Sequence, residues 1–276
     1  MIHFVKVCHL TLFSILALLV ICSCANVPES ADSQSVLNNT IPNSVTVYTY
    51  KIVNTYPHDQ DAWTQGLTFE DGILHEATGG YGKSSLRKID LAGANVLQTY
   101  KLPDKYYGEG ITIYKNMIIQ LTWKEQTGFV YDKNDFDLLR EFSYSKEGWG
   151  ITYDGKRLVS SDGTSTLYFL DPETFTIAAE INVRDNDVPV DRLNELEYIR
   201  GRVYANIWGD DKIAIIDPQT GKVTGWVDLT GLLASQHYDR PKDNLNGVAY
   251  NPQNGHLFVT GKFWPILFEI ELIAKQ

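Results

Sequence analysis

Five short stretches of this chain share one form, and their spacing restricts the fold more than any other feature. They are Gln65-Gly66-Leu67-Thr68-Phe69, Glu109-Gly110-Ile111-Thr112, Trp149-Gly150-Ile151-Thr152-Tyr153, Asn194-Glu195-Leu196-Glu197-Tyr198 and Asn246-Gly247-Val248-Ala249-Tyr250. Each has a polar or aromatic lead residue, usually then a glycine, then an apolar residue. The leads Gln65, Glu109, Trp149, Asn194 and Asn246 are spaced 44, 40, 45 and 52 residues apart. A repeat of roughly 40–50 residues with no helical pattern is a propeller-type period. The expected fold is all-β, a five-bladed β-propeller with the five leads around one axis. Glu109 is the only acid among the leads.

The rest of each repeat reads as strands. Second runs fall at Ile73–Gly79, Met117–Trp123, Arg157–Gly163, Arg202–Trp208 and His256–Lys262. They carry β-branched and aromatic residues and end at turn signals. Third runs are Ser85–Leu91, Gly128–Asp132, Thr166–Asp171, Lys212–Asp217 and Ile266–Leu272; fourth runs are Asn95–Lys101, Leu138–Tyr144, Ile177–Val183 and Val223–Leu229. The last repeat runs out of chain before a fourth strand. Val45–Asn54 is a strand-like run before the first lead, so it is expected to become the outer strand of the last blade and close the ring. Closure also limits exposed sheet edges. No strong helix is expected, only a short turn or two within Val190–Glu197 and Leu232–His237.

The N-terminus reads as a targeting segment. Lys6 is followed by an almost wholly apolar run from Leu10 to Cys22, too short to cross a membrane comfortably. Ile21-Cys22-Ser23-Cys24 resembles a bacterial lipoprotein signal with Cys24 as the lipidated residue; an ordinary cleaved signal is the other reading. Residues 1–24 are therefore expected to be a signal peptide, 25–44 a flexible linker rich in Ser, Asn and Asp, and 45–276 the folded catalytic domain. The protein is expected to be exported to the periplasm or cell surface, touching a membrane only through a lipid anchor. All three cysteines lie in the leader, so the domain itself has no disulfide. The net charge of −10 argues against a nucleic-acid partner.

Two columns of residues should meet at one end of the ring. One is the leads; the other is the end of the second strand, Gly79, Trp123, Gly163, Trp208 and Lys262. Together they gather Gln65, Glu109, Trp149, Asn194, Trp123, Trp208 and Lys262, with Trp63 and Tyr107 two residues before their leads. Taken singly, each tryptophan suits packing between blades. Their coincidence with amides, one acid and one lysine suits a small-molecule pocket. Glu109 among aromatics should have a raised pKa and be tuned for proton transfer, although a carboxylate in a turn, paired with a base, is the plainer reading. Lys262 could equally be a solvated rim lysine, and Asn194 and Asn246 could cap turns. Glu195 and Glu197 rank below Glu109, because strand alternation puts them opposite Leu196. The six histidines are scattered without HxH or HExxH spacing, so no metal site is expected.

The same residues resemble a known family, the plant and bacterial type glutaminyl-peptide cyclotransferases. The resemblance runs from about Tyr56 to Leu272. It rests on Thr64-Gln65-Gly66-Leu67, Glu76-Ala77-Thr78-Gly79, Tyr81-Gly82-Lys83-Ser84-Ser85-Leu86-Arg87, Gly108-Glu109-Gly110-Ile111-Thr112 and Gln120-Leu121-Thr122-Trp123-Lys124. Glu147-Gly148-Trp149-Gly150, Ser161-Asp162-Gly163-Thr164, Leu193-Asn194-Glu195-Leu196-Glu197, Ala205-Asn206-Ile207-Trp208, Leu245-Asn246-Gly247 and Thr260-Gly261-Lys262-Phe263-Trp264-Pro265 complete it. It implies a five-bladed propeller that cyclises the N-terminal glutamine of peptides or proteins to pyroglutamate, releasing ammonia. It implies Glu109, Asn194 and Lys262 as catalytic residues and Gln65, Trp123, Trp149 and Trp208 as pocket residues. Trp63, Tyr107 and Asn246 join them from the columns. Ala77 stands where serine is usual and Trp63 where phenylalanine is common. No cofactor is expected, and a monomer is. The rival expectation is a non-catalytic propeller that binds peptides or envelope proteins at the same funnel.

Overall fold

Short β-branched and aromatic runs, separated by tight turns, fold each repeat into an antiparallel sheet. In the computed structural model, the described residues are 45–93, 95–236 and 244–275, all within the unit Ser44–Gln276. The expected signal at 1–24, Cys24 and the linker at 25–44 lie outside the described residues.

The chain enters through β1 (Thr46–Pro57). The first repeat forms the sheet β2 (Thr64–Glu70), β3 (Ile73–Thr78), β4 (Ser85–Asp90) and β5 (Asn95–Lys101), in that order. The second forms β6 (Gly108–Tyr114), β7 (Met117–Thr122), β8 (Thr127–Asp132) and β9 (Leu138–Ser143). The third forms β10 (Ile151–Tyr153), β11 (Leu158–Ser161), β12 (Thr166–Leu170) and β13 (Ile177–Asn182). A small ribbon follows, β14 (Arg184–Asp185) with β15 (Val188–Pro189). The fourth repeat is β16 (Leu193–Ile199), β17 (Arg202–Ile207), β18 (Lys212–Ile216) and β19 (Val223–Asp228); the fifth is β20 (Leu245–Tyr250), β21 (Leu257–Gly261) and β22 (Ile266–Ala274).

β1 joins the last two repeats. It pairs antiparallel with β22, from Tyr48↔Ala274 to Pro57↔Ile266, and its start pairs parallel with the middle of β19, from Thr46↔Gly225 to Tyr48↔Val227. One eight-stranded sheet results, with β1 between β19 and β22. Burial follows position. The fourth strands β5, β9 and β13 are largely exposed edges, whereas β19, covered by β1, alternates buried and exposed. The segment expected to turn within Val190–Glu197 instead holds the end of the loop and strand β16, because Leu193, Leu196 and Ile199 are needed in the core. The other expected turn is a single 3-10 turn, Ala234–Gln236; His237 lies outside the described residues.

Among the described residues, five buried apolar clusters hold the repeats together, each shared by two neighbours. Ala77 and Leu86 of the first repeat pack with Ile118 and Phe129 of the second. Ile119 and Val130 pack with Leu158 and Tyr168 of the third. Val159 and Phe169 pack with Val203 and Ala205 of the fourth, and Ile213 and Val227 with Val259 and Phe268 of the fifth. The cycle returns to its start where Ala249 and Phe258 of the fifth repeat pack with Leu67 and Leu74 of the first. The first strands follow the same order, β2 beside β6, β6 beside β10, β10 beside β16, β16 beside β20, and β20 beside β2.

These first strands approach closely where the repeat motif carries glycine. A Cβ on Gly110 would lie 2.7 Å from the Trp149 carbonyl oxygen, which already accepts the Gly110 N–H at 2.8 Å. A Cβ on Gly150 would collide with the Asn194 carbonyl oxygen. Gly150→Ala is therefore expected to cost about 1–3 kcal/mol, the usual range for overpacking. Thermal unfolding of this variant should show a midpoint several degrees below wild type; an unchanged midpoint would mean that the strands can separate without cost.

Candidate functional site

Four of the five motif regions break the regular ladder where the lead sits. The register shifts between Thr64 and Gly66, between Gly108 and Ile111, between Leu193 and Leu196, and between Leu245 and Val248. In the third repeat, β10 begins only after the lead, at Ile151. Such irregularities re-aim side chains out of the pleat. A second device draws the ends of four of the five second strands towards the same place. The backbone N–H of Gly79, Trp123, Trp208 and Lys262 donates to the carbonyl of Trp63, Tyr107, Arg192 and Asn244, respectively, at 2.9–3.0 Å. Each acceptor lies two residues before a lead, so this bond ties the two columns of the sequence together.

The result is a cavity of about 420 Å³ lined by Trp63, Gln65, Tyr107, Glu109, Trp123, Trp149, Asn194, Trp208 and Lys262. Nine of the ten sequence-selected site residues of the domain thus share one wall. The tenth, Asn246, is fully buried behind it. Its Nδ2 donates to the Thr64 carbonyl at 2.9 Å and to Gln65 Oε1 at 3.2 Å. That bond leaves Gln65 with its amide nitrogen forward, and Gln65 Nε2 donates to Glu109 Oε1 at 2.9 Å. A directional chain therefore runs from Asn246 through Gln65 to the Glu109 carboxylate.

The aromatic walls need glycine neighbours. Gly79 leaves room for the Tyr107 ring, and Gly163 for the Trp149 ring, which lies 2.6 Å from where a Cβ would be. This explains the two glycines of the second-strand column, which carry no chemistry themselves. Tyr107 meets Trp123 edge-on at 5.6 Å, and Trp149 meets Trp208 edge-on at 6.1 Å. Trp208 is 44% exposed and marks the mouth. The buried Lys262 ammonium sits 5.0 Å from the centre of the Trp63 ring, a cation–π contact.

Burial governs the electrostatics. Glu109 is 4% exposed, and loss of solvation pushes its pKa well above the usual carboxylate value. The Lys262 charge and the Gln65 hydrogen bond pull it back, and the carboxylates of Glu125 and Glu147 push it further up. Burial lowers Lys262 to about 8, with the Glu109 charge opposing that fall. Burial and the Glu109 charge also raise the Tyr107 phenol, so it stays protonated. Asn194 is buried, and its side-chain amide has no protein partner among the described residues. An acid with a high proton affinity, a cation and an unengaged amide thus face one apolar volume.

Three supporting features were not legible as site residues. Glu147 Oε2 accepts the indole N–H of Trp123 at 2.8 Å and of Trp149 at 3.2 Å. Its signal was available, since Glu147 stands two residues before its lead, as Trp63 and Tyr107 do. Glu125 accepts the Tyr81 hydroxyl at 2.8 Å and the Tyr107 backbone N–H at 3.3 Å. Behind Gln65, the buried Glu76 carboxylate accepts Thr64 Oγ1 at 2.8 Å and His58 Nε2 at 2.9 Å, while His58 Nδ1 lies 2.6 Å from the Trp264 carbonyl. Burial alone would lower His58 and raise Glu76; their mutual attraction outweighs it and leaves His58 raised and Glu76 lowered. That pair anchors the strand of Gln65 to the turn that carries Lys262.

Comparison with known proteins identifies the relatives of this arrangement. Residues 16–272 match the family described as Glutamine cyclotransferase. A glutaminyl-peptide cyclotransferase of Arabidopsis thaliana is 45% identical over 228 residues, covering 80% of this chain and 71% of the relative. The crystal structure of Myxococcus xanthus glutaminyl cyclase matches with a TM-score of 0.78 and 37% identity, covering 84% of this chain and 99% of that one.

Proposed function

The chain belongs to the glutamine cyclotransferase family, and we propose that the cavity around Glu109 is where it carries out the family's reaction. The protein is an enzyme of the glutaminyl-peptide cyclotransferase type. It closes the N-terminal glutamine of a peptide to pyroglutamate and releases ammonia. The observation that carries the assignment to this cavity is a buried carboxyl with raised proton affinity, beside Lys262 and an unengaged Asn194 amide.

The chemistry asks for two proton transfers and one charge to be stabilised. The α-amine nitrogen attacks the γ-carboxamide carbon and forms the new C–N bond. The Glu109 carboxylate takes the proton that the amine loses. The carboxamide oxygen becomes an oxyanion, and donors from Lys262 Nζ and the Asn194 amide stabilise it among buried, apolar walls. Glu109 then returns its proton to the departing nitrogen, which leaves as ammonia when the old C–N bond breaks. One group acting as base and then acid works best with a proton affinity above that of an ordinary carboxylate, and burial raises that of Glu109. Gln65 orients Glu109, and its oxygen retains a lone pair for the amine. The walls from Trp63, Tyr107, Trp123, Trp149 and Trp208 hold the side chain folded back on itself, the costly part of an intramolecular attack.

The donor set favours no metal in this mechanism. The cavity offers one carboxylate and a lysine, and no cluster of three His, Cys, Asp or Glu exists among the described residues. A catalytic zinc commonly uses about three such ligands. Around the cavity, the closed cycle of first strands and shared cores supports a five-bladed β-propeller, with β1 completing the fifth blade. The leader supports export, with lipidation at Cys24 and residues 25–44 as a tether. Cys24→Ala should release the protein from the membrane fraction and abolish labelling by a fatty-acid analogue. Unaltered membrane retention would count against the anchor.

Glu109→Gln is expected to lower turnover of a glutaminyl dipeptide by roughly 10²–10⁴-fold, the range for a lost general acid–base group. Ammonia release reads this directly, and a variant near the wild-type rate would remove Glu109 from the mechanism. In the same assay, wild-type protein dialysed against a strong chelator should keep its rate; loss restored by zinc would show that the metal-free mechanism is wrong.

A further inference from the structure

Among the described residues, the Glu147 carboxylate forms no ion pair with a lysine, arginine or histidine; instead, one of its oxygens accepts two indole N–H groups. Trp123 closes the end of β7 and Trp149 leads the third repeat, so these rings come from different sheets. The Gly148 N–H donates to the Trp123 carbonyl at 2.9 Å and ties the two backbones together, but the ring directions depend on the side chains. The N–H of Trp123 reaches Glu147 Oε2 at 2.8 Å and that of Trp149 reaches it at 3.2 Å. A charged acceptor makes both bonds stronger than a neutral one would. Each ring then braces a further wall residue, Trp123 against Tyr107 and Trp149 against Trp208. We propose that Glu147 is a positioning residue for cyclisation: it sets the two central indoles of the cavity at the separation that grips the folded glutaminyl side chain.

The same carboxylate acts on the reaction a second way, through charge. Glu109 is faced by Gln65 from β2, by Lys262 after β21, by Glu125 and Glu147 from neighbouring loops, and by the phenols of Tyr81, Tyr107 and Tyr144. The phenols are neutral at working pH, and Lys262 favours the carboxylate form of Glu109. Glu125 and Glu147 oppose Lys262 and strengthen the hold of Glu109 on its proton. On the Trp123 side, the Lys124 ammonium lies 3.9 Å from the centre of the Trp123 ring. Removing the Glu147 charge should therefore shift the ionisation of Glu109 to lower pH, an effect that a purely packing role would not produce.

The inference rests on the cyclotransferase reading, and the experiment separates the two. Wild type, Glu147→Gln, Glu147→Asp and Glu147→Ala are assayed for ammonia release from a glutaminyl dipeptide across pH, with circular dichroism to confirm folding. Inactive wild type would defeat the functional reading itself. With wild type active, Glu147→Ala should raise KM about tenfold or more, the worth of a hydrogen bond to a charged group, with a smaller change in kcat. Glu147→Gln, which keeps an acceptor oxygen, should raise KM less but move the acid limb of the pH profile to lower pH. Glu147→Asp should raise KM while leaving that limb in place. Should the alanine variant fail to fold, the Gln and Asp variants decide the matter. A wild-type KM together with an unmoved acid limb in Glu147→Gln would overturn the proposal.

Discussion

The cavity exists because the first strands of the five repeats come closer together than side chains would permit. Gly66, Gly110 and Gly150 each face the backbone of the next repeat at distances that leave no room for a Cβ. The fourth repeat places Glu195 at the equivalent position. Its carboxyl reaches across to other repeats and accepts the backbone N–H of Leu67 at 3.3 Å and of Val248 at 2.8 Å. Burial raises its pKa well above normal, and nearby Glu197 adds to that rise. Glu195 is thus a cross-repeat tie rather than a second acid of the site. The lead residues, one step earlier in the chain, are carried by this packing to a common end.

Once the leads are gathered, electrostatics decides what they can do. A carboxyl in an aromatic cavity would simply stay protonated without a counterweight. Lys262 supplies it, and the bond from Gln65 adds to it, so the Glu109 charge is penalised without being forbidden. The reverse holds for Lys262, whose ammonium is retained partly by Glu109 and rests over Trp63. Each group tunes the other, which is how a buried pair comes to work near neutral pH. The Asn246–Gln65 bond fixes the direction of the hydrogen bond to Glu109, so the carboxylate is already oriented within the cavity.

Much of this was legible in the sequence. Strand positions followed from turn chemistry and β-branched runs, and the two columns named the cavity walls because a repeat places equivalent residues at one end. Three things were not legible. The parallel contact of β1 with β19 depends on the path of the chain start, which no periodicity records. Asn246 has the form of a lead yet lies behind Gln65, since equivalent positions share a backbone place but not a side-chain role. Glu147 and the His58–Glu76 pair act through other side chains, and such support appears only when the partners' directions are known.

The central claim is that Glu109 and Lys262 carry the reaction as a coupled acid and cation. It is tested most directly by the pH dependence of kcat at saturating substrate, which reports groups in the complex rather than the free amine. The profile should be a bell. Its acid limb, from Glu109, should lie above the ordinary carboxylate range, and its alkaline limb, from Lys262, at about 8. In Lys262→Met, the alkaline limb should vanish and the acid limb move higher, because the charge that favours the carboxylate is gone. A flat wild-type profile, or an acid limb unmoved in Lys262→Met, would contradict the account.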